Sequence, residues 1–264
     1  MRSHEKIILP LDVSDIDQAQ ILVRMLAPYV GVFKIGFEAI YSSMASLLMP
    51  DSAADYWLGR IRSLAGTITP KKAFLDVKLA DIPNTVGKAV KALSSLEVKM
   101  INIHASAGVK VIQAAVANKG NSQLFGVTVL TSINAEECKS IFGAEPDEKV
   151  LQFAKMLVDN GADGVICAPK EGLLLRLDPD FDKLTIACPN IRPEWAATKE
   201  ERERVKDDQN IERQMTPGEA VVAGIDMLVI GRPVTKPPVN IGGPVEAAKL
   251  IAEEIATALS GREM

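Results

Sequence analysis

The stretch FLDVKLADIPNT, residues 74–85, puts Asp76, Lys78 and Asp81 within six positions. Side chains alternate faces along a strand, so Asp76 and Lys78 share one. Lys34, in the run VFKI, is placed to join them on a neighbouring strand. Carboxylates and ammoniums set in alternation hold one another ionised. The plain reading of such a set is a structural ion-pair network. Buried charges are costly to desolvate, however, and this favours a working site over a purely structural network. GRPVT, residues 231–235, follows the apolar run MLVI. A glycine whose neighbouring amides are open to an anion, next to an arginine fork, suits a phosphate group.

Other reactive side chains carry less. His104 closes an apolar run, and with His4 as the only other histidine it cannot build a histidine metal cluster. Ser132 has no GxSxG context, which speaks against nucleophilic hydrolysis. NIGGP, residues 240–244, lacks the spacing of a dinucleotide fingerprint, so no redox cofactor is implied.

Eight short apolar runs could position these groups: 7–11, 32–35, 73–78, 100–104, 125–130, 164–167, 184–188 and 227–230. Segments with helical periodicity lie between them, as at 16–26 and 147–160. The last such segment sets Val245, Ala248, Ile251, Ile255 and Leu259 on one stripe. Eightfold strand–helix alternation predicts an α/β fold, a single (β/α)8 TIM barrel spanning 1–264 as one catalytic domain. Asp12, Lys34, Asp76, Lys78, His104, Thr131, Ser132, Gly231 and Arg232 fall in or just beyond these runs, so they share the rim where barrel enzymes work. Two connections are long. The 41–72 segment predicts an extra helical insertion after strand 2. The charge-dense 193–217 segment reads as a solvated helix or as a lid closing over substrate.

Composition narrows the partners. Of 264 residues, 47% are hydrophobic and 5% aromatic, the aliphatic make-up of a buried parallel sheet. The net charge of −4 argues against binding nucleic acid or a membrane surface, leaving a small-molecule substrate. No apolar run is long enough to span a bilayer, and MRSHEKIILPLD enters a strand instead of a signal sequence, so a cytoplasmic location is expected. Cys138, Cys167 and Cys188 show no CxxC spacing and read as reduced thiols.

LPLDVSD, FKIGFE, FLDVKLADIPNT, INIHASAG, VTVLTS, GADGVICAPKE, CPNIRP and VIGRPVT occur in this order between residues 9 and 235. Together they resemble the orotidine 5'-phosphate decarboxylase family, and the DxKxxDIPNT block is the most specific of them. The resemblance implies a homodimeric barrel that converts orotidine 5'-phosphate to UMP and CO2, the last step of de novo pyrimidine synthesis, with neither metal nor organic cofactor. It implies that Asp12 and Lys34 hold the ribose hydroxyls, with Lys34 also anchoring Asp76. Asp76 would face the substrate carboxylate, and Lys78 would deliver the proton that replaces CO2. Asp81, Ile82 and Thr85 would reach into the partner's site. Ser132 would contact the pyrimidine, while Pro189, Gln209, Gly231 and Arg232 would surround the base edge and the phosphate. In this family Asn190 stands where glycine is usual; asparagine tolerates positive φ better than most residues.

Two other readings stay open at this level. A Mg-dependent sugar-phosphate decarboxylase or aldolase of the same barrel suprafamily shares the DxKxxD spacing. It needs a further carboxylate, and strand 2 offers Lys34, with Glu38 the nearest acid. A non-catalytic barrel that binds a nucleotide phosphate would not need a proton donor among carboxylates.

Overall fold

A computed structural model describes residues 2–13, 15–47, 66–198 and 213–261, with positions 59, 63, 200 and 203 isolated between them. Eight parallel strands pair in chain order and close on themselves: β1 (Ile7–Pro10), β2 (Val32–Ile35), β3 (Ala73–Leu79), β4 (Met100–His104), β5 (Gln123–Val127), β6 (Gly164–Ile166), β7 (Thr185–Cys188) and β8 (Met227–Val229). Closure is made by Ile7 opposite Leu228 and Ile8 opposite Val229.

Helices alternate with the strands. They include α1 (Ile16–Leu26), α2 (Phe37–Leu47), α3 (Pro83–Ser94), α4 (Val109–Val116), α5 (Ala135–Phe142), α6 (Pro146–Asp159), α7 (Pro169–Arg176), α8 (Glu194–Ala197), α9 (Pro217–Val222), α10 (Arg232–Thr235) and α11 (Pro244–Ser260). Proline opens α3, α6, α7, α9 and α11, where its missing N–H would have had no helical acceptor and its fixed φ suits the first turn. Side-chain caps start others: Asp15 accepts from the Asp17 amide at 2.9 Å, and Asn134 accepts from the Glu137 amide at 2.9 Å. The stripe expected on the last helix is the buried face of α11, with Ala248, Ile251 and Ile255 inside and Val245 and Leu259 packed at its margins.

The period-2 pattern sorts the strand residues into two cores. Ile8, Val32, Phe74, Met100, Phe125, Ala187 and Met227 meet inside the barrel, joined by Ile166 and Val229. Their neighbours in sequence, such as Ile7, Leu9, Phe33, Ile101, Ile103, Val165 and Ile186, point outward under the helices. Phe125 reaches across the interior because β6 offers no side chain there; a Cβ on Gly164 would stand 2.3 Å from its ring. This apolar layer is a floor. One inward step further along the strands come Pro10, Lys34, Asp76, Asn102 and Val127, so the polar groups sit on the C-terminal side of a packed hydrophobic plug.

Two expectations are adjusted. β5 begins at Gln123 and ends at Val127 instead of running to residue 130: the Thr128 amide and hydroxyl still donate to the Ile166 carbonyl of β6, at 3.1 and 2.8 Å, and the chain beyond turns, with the Ile133 amide donating to the Leu130 carbonyl at 3.1 Å. The 41–72 segment is described only in part. It continues α2 to Leu47, and most of the remainder lies outside the described residues, as does most of 199–212.

Candidate active site

The C-terminal ends of the strands surround a cleft of about 930 Å³. Its charged wall is built on β3. The strand runs regularly to Leu75, and the register with β4 then shifts between Leu75 and Leu79, with Lys78 at φ 44°. A lysine in that left-handed region is costly, about 1–3 kcal/mol, and persists only where its surroundings hold it. Asn102, fully buried on β4, supplies the hold. Its Oδ1 accepts from the Lys78 amide at 2.8 Å, and its Nδ2 donates to Asp76 Oδ1 at 2.6 Å. One amide side chain thus fixes the backbone of Lys78 and the carboxylate of Asp76 together.

Asp76 is the centre of the charge set. Lys78 Nζ lies 2.6 Å from Asp76 Oδ1 and Lys34 Nζ 2.9 Å from Oδ2, so each oxygen faces an ammonium. Lys34 also reaches Asp12 Oδ1 at 3.2 Å. Burial alone would raise the Asp76 pKa, but Lys34 and then Lys78 more than offset this and bring it down from 3.8 to about 2. For Lys34, burial disfavours the charge, yet Asp76 and Asp12 raise its pKa above 10.5. Both groups are therefore ionised throughout the neutral range. Lys78 Nζ further sits 5.1 Å from the centroid of the Phe37 ring, a cation–π contact from the first turn of α2. His104, also on β4, is held below 6.5, first by burial and then by the charge on Lys78.

The remaining predicted residues divide into three groups. Asp12, Ser132, Pro189, Gly231 and Arg232 line the same cleft, as do Thr131 and Asn190. Asp81 corrects an expectation. It does not join the charge set within its own chain, where Asp12 takes the fourth place, because it lies past the end of β3 in the short turn that leads into α3. Its Oδ1 instead accepts from the Ile82 amide at 2.6 Å. Asp81, Ile82 and Thr85 are exposed outside the cleft, Ile82 at 66%. Gln209 lies outside the described residues.

Asn102 went unrecognised in the sequence, although a signal existed: in MINIH it falls on the inward parity of Met100 and is the one fully buried polar side chain of that strand. Asn190 has φ 64°, the positive value that asparagine accommodates. Among the described residues, no three His, Cys, Asp or Glu side chains gather as metal ligands, and no helix is long and apolar enough to cross a membrane.

Fold and site together define a (β/α)8 barrel whose strand ends carry an Asp–Lys–Asp–Lys array beside a Gly–Arg turn. Residues 5–251 match the model of the orotidine 5'-phosphate decarboxylase / HUMPS family, and the chain belongs to that family. It is 35% identical to an orotidine 5'-phosphate decarboxylase of Moorella thermoacetica, over 97% of this chain and 94% of that one. A second relative of that name, from Syntrophomonas wolfei, is also 35% identical, over 96% and 99% of the two chains. The crystal structure of orotidine 5'-phosphate decarboxylase from Lactobacillus acidophilus superposes with a TM-score of 0.69 at 28% identity, covering 94% of this chain and 98% of that one.

Proposed function

We propose that this chain decarboxylates orotidine 5'-phosphate to UMP and CO2 in pyrimidine biosynthesis, and that 1–264 acts as one catalytic domain. The observation that carries the mechanism is Asp76 held as an anion between Lys34 and Lys78 on a bulged, Asn102-braced strand. Breaking the bond from C6 to the carboxyl group leaves an electron pair in the plane of the ring, where no carbonyl can take it up. An ammonium beside C6 stabilises that charge and then transfers a proton to it. Lys78 fills this role, and solvent reprotonates its amine, so the reaction consumes one proton and releases CO2. Asp76 faces the departing carboxylate and, with Lys34, aims Lys78. Asp12 and Lys34 hold the ribose, Ser132 and Pro189 meet the base, and Gly231 and Arg232 take the phosphate, with Gln209 from the 193–217 segment. These steps call on no metal or organic cofactor.

A homodimer completes the site in this reading. Asp81, Ile82 and Thr85 sit together at the start of α3, facing away from their own cleft and exposed, as groups would be that reach a partner's substrate. A cytoplasmic location fits three buried free thiols.

Turnover is followed by absorbance in EDTA, for the wild type and Lys78→Ala. Metal-independent formation of UMP that collapses in the variant is expected. A folded wild type that leaves orotidine 5'-phosphate untouched overturns the reaction, and full activity of Lys78→Ala overturns the assignment of the proton donor. Ile82→Lys is expected to shift sedimentation from dimer to monomer and to lower activity with it. A monomeric wild type overturns the shared site.

A further inference from the structure

Arg213 and Glu171 form an ion pair that the proposed mechanism leaves without a role, and it is deeply buried among the described residues, at 6% and 2% exposure. Glu171 stands in the first turn of α7, just past β6, and presents one oxygen to the guanidinium. Nε donates to Oε1 at 2.9 Å, and Nη2 lies 2.9 Å from the same atom. The third nitrogen faces elsewhere. Nη1 donates to the carbonyls of both Leu130 and Ile133, at 3.0 Å each. Those two residues are the ends of the turn that follows β5, closed by the Ile133 amide donating to the Leu130 carbonyl at 3.1 Å. Between them are Thr131 and Ser132, which face the cleft.

Arg213 is itself tied down. Two residues on, Met215 pairs with Ile191 past the end of β7, and its carbonyl accepts from the Arg192 amide at 2.9 Å. One planar fork therefore joins the exits of β5 and β6, and the backbone at Met215 ties the same segment to the exit of β7, where Pro189 and Asn190 line the cleft just before the junction. Burying a charge pair is expensive, and an apolar pair of similar volume would serve packing at least as well. What the pair supplies is geometry, because a guanidinium can bond a carboxylate and two carbonyls at once in fixed directions, and an ammonium cannot.

We propose that Arg213, oriented by Glu171, is a positioning residue that holds the 130–133 turn so that Ser132 meets the pyrimidine. The catalytic half of this inference rests on the function proposed above. It is tested with Arg213→Met, Arg213→Lys and Ser132→Ala, singly and combined, by orotidine 5'-phosphate kinetics and by amide hydrogen exchange of the free protein. Arg213→Met is expected to speed exchange at 131–133 while the barrel strands keep their protection. It is also expected to lower kcat/KM by roughly ten- to hundredfold, the scale that a small misplacement produces. Ser132→Ala should cost the wild type a measurable factor but less than about twofold in the Arg213→Met background, since its contact is already lost there. Arg213→Lys, which keeps the charge and loses the fork, should fall between wild type and Arg213→Met. Should Arg213→Met fail to fold, the cycle is run on Arg213→Lys.

Additive losses, or an unchanged exchange rate at 131–133, overturn the assignment. A wild type inert toward orotidine 5'-phosphate overturns the proposed function and the catalytic half of this inference with it, while the exchange data still decide whether Arg213 holds the turn.

Discussion

Replacing Asn102 by alanine tests how the site is braced. The substitution removes a donor to the Asp76 carboxylate and the acceptor of the Lys78 amide, both inside a residue with no solvent exposure. A hydrogen bond to a charged group contributes about 1.5–3 kcal/mol, and a buried amide left without an acceptor costs about 1–3 kcal/mol. The Asn102→Ala variant should therefore lose roughly 3–5 kcal/mol, a large share of the ordinary stability of a domain. The midpoint of thermal unfolding should fall by about 10 °C, at the few degrees per kcal/mol typical of a chain this long. Activity should fall as well, and mainly in kcat. Lys78 would be free to leave φ 44°, carrying its ammonium away from Asp76 and from the place proposed above for C6, whereas the groups proposed to bind ribose and phosphate stand on other strands. Urea unfolding and steady-state kinetics read the two losses separately. A variant within about 1 kcal/mol of wild type and with its full kcat would show that Asn102 does not hold the bulge, and would refute its role as the common brace of Asp76 and Lys78.

Other consequences can be measured directly. Asp76 titrates at about 2 when folded and near 3.8 when unfolded, so its ion pairs contribute fully above pH 4. That contribution is lost as pH falls through 2, and at about 1.4 kcal/mol per pH unit it amounts to about 2.5 kcal/mol. Asp76→Asn should flatten the acid limb of stability against pH; an unchanged limb refutes the assignment. Lys34 has the opposite sign, its contribution complete below 10.5 and fading as pH rises through the raised value, so Lys34→Met should blunt alkaline unfolding in a urea series. Lys34→Met should also cost about 3–5 kcal/mol near neutrality by leaving Asp76 buried with one partner fewer. Gly31→Ala should scarcely fold, because the new Cβ would meet the Glu5 carbonyl oxygen at 2.0 Å, backbone against backbone; a normal melting curve would contradict the packing of β2 against the N-terminal turn.

How much of this was legible in the sequence depended on the range of each interaction. Strand positions announced themselves through alternation, and β2 and β4 run over the residues that their apolar runs marked. The pairing of Asp76 with Lys78 was also legible, although for an incomplete reason. Period 2 supposes a regular strand, whereas β3 bulges at Lys78, and Asp81, expected near the set from the loop after the strand, stands outside it in the turn into α3. Asp12 took its place because barrel pairing brings β1 beside β2, a contact that no local pattern contains. β5 was drawn too far along because Val129 and Leu130 are as apolar as strand residues; instead they enter the turn closed by the Ile133 amide on the Leu130 carbonyl. Arg213 gave no signal at all. It lies in a charge-rich stretch that reads as solvated, and its partners on α7 and after β5 are distant in sequence.

Barrel closure has a consequence for how the protein comes into being. A chain leaves the ribosome N-terminus first, so β1 emerges early and waits with one edge unpaired until β8 arrives to meet it. Asp12, just past β1, and Arg232, just past β8, face the same cleft, so no shorter nascent chain can bring together the groups proposed above to hold the ribose and the phosphate. Until then the hydrophobic edges of β1 and β7 are open, and open edges recruit other strands. Synthesis that stalls before β8 thus leaves a species with an incomplete rim that invites aggregation, whereas the last strand removes both edges and completes the rim in a single event.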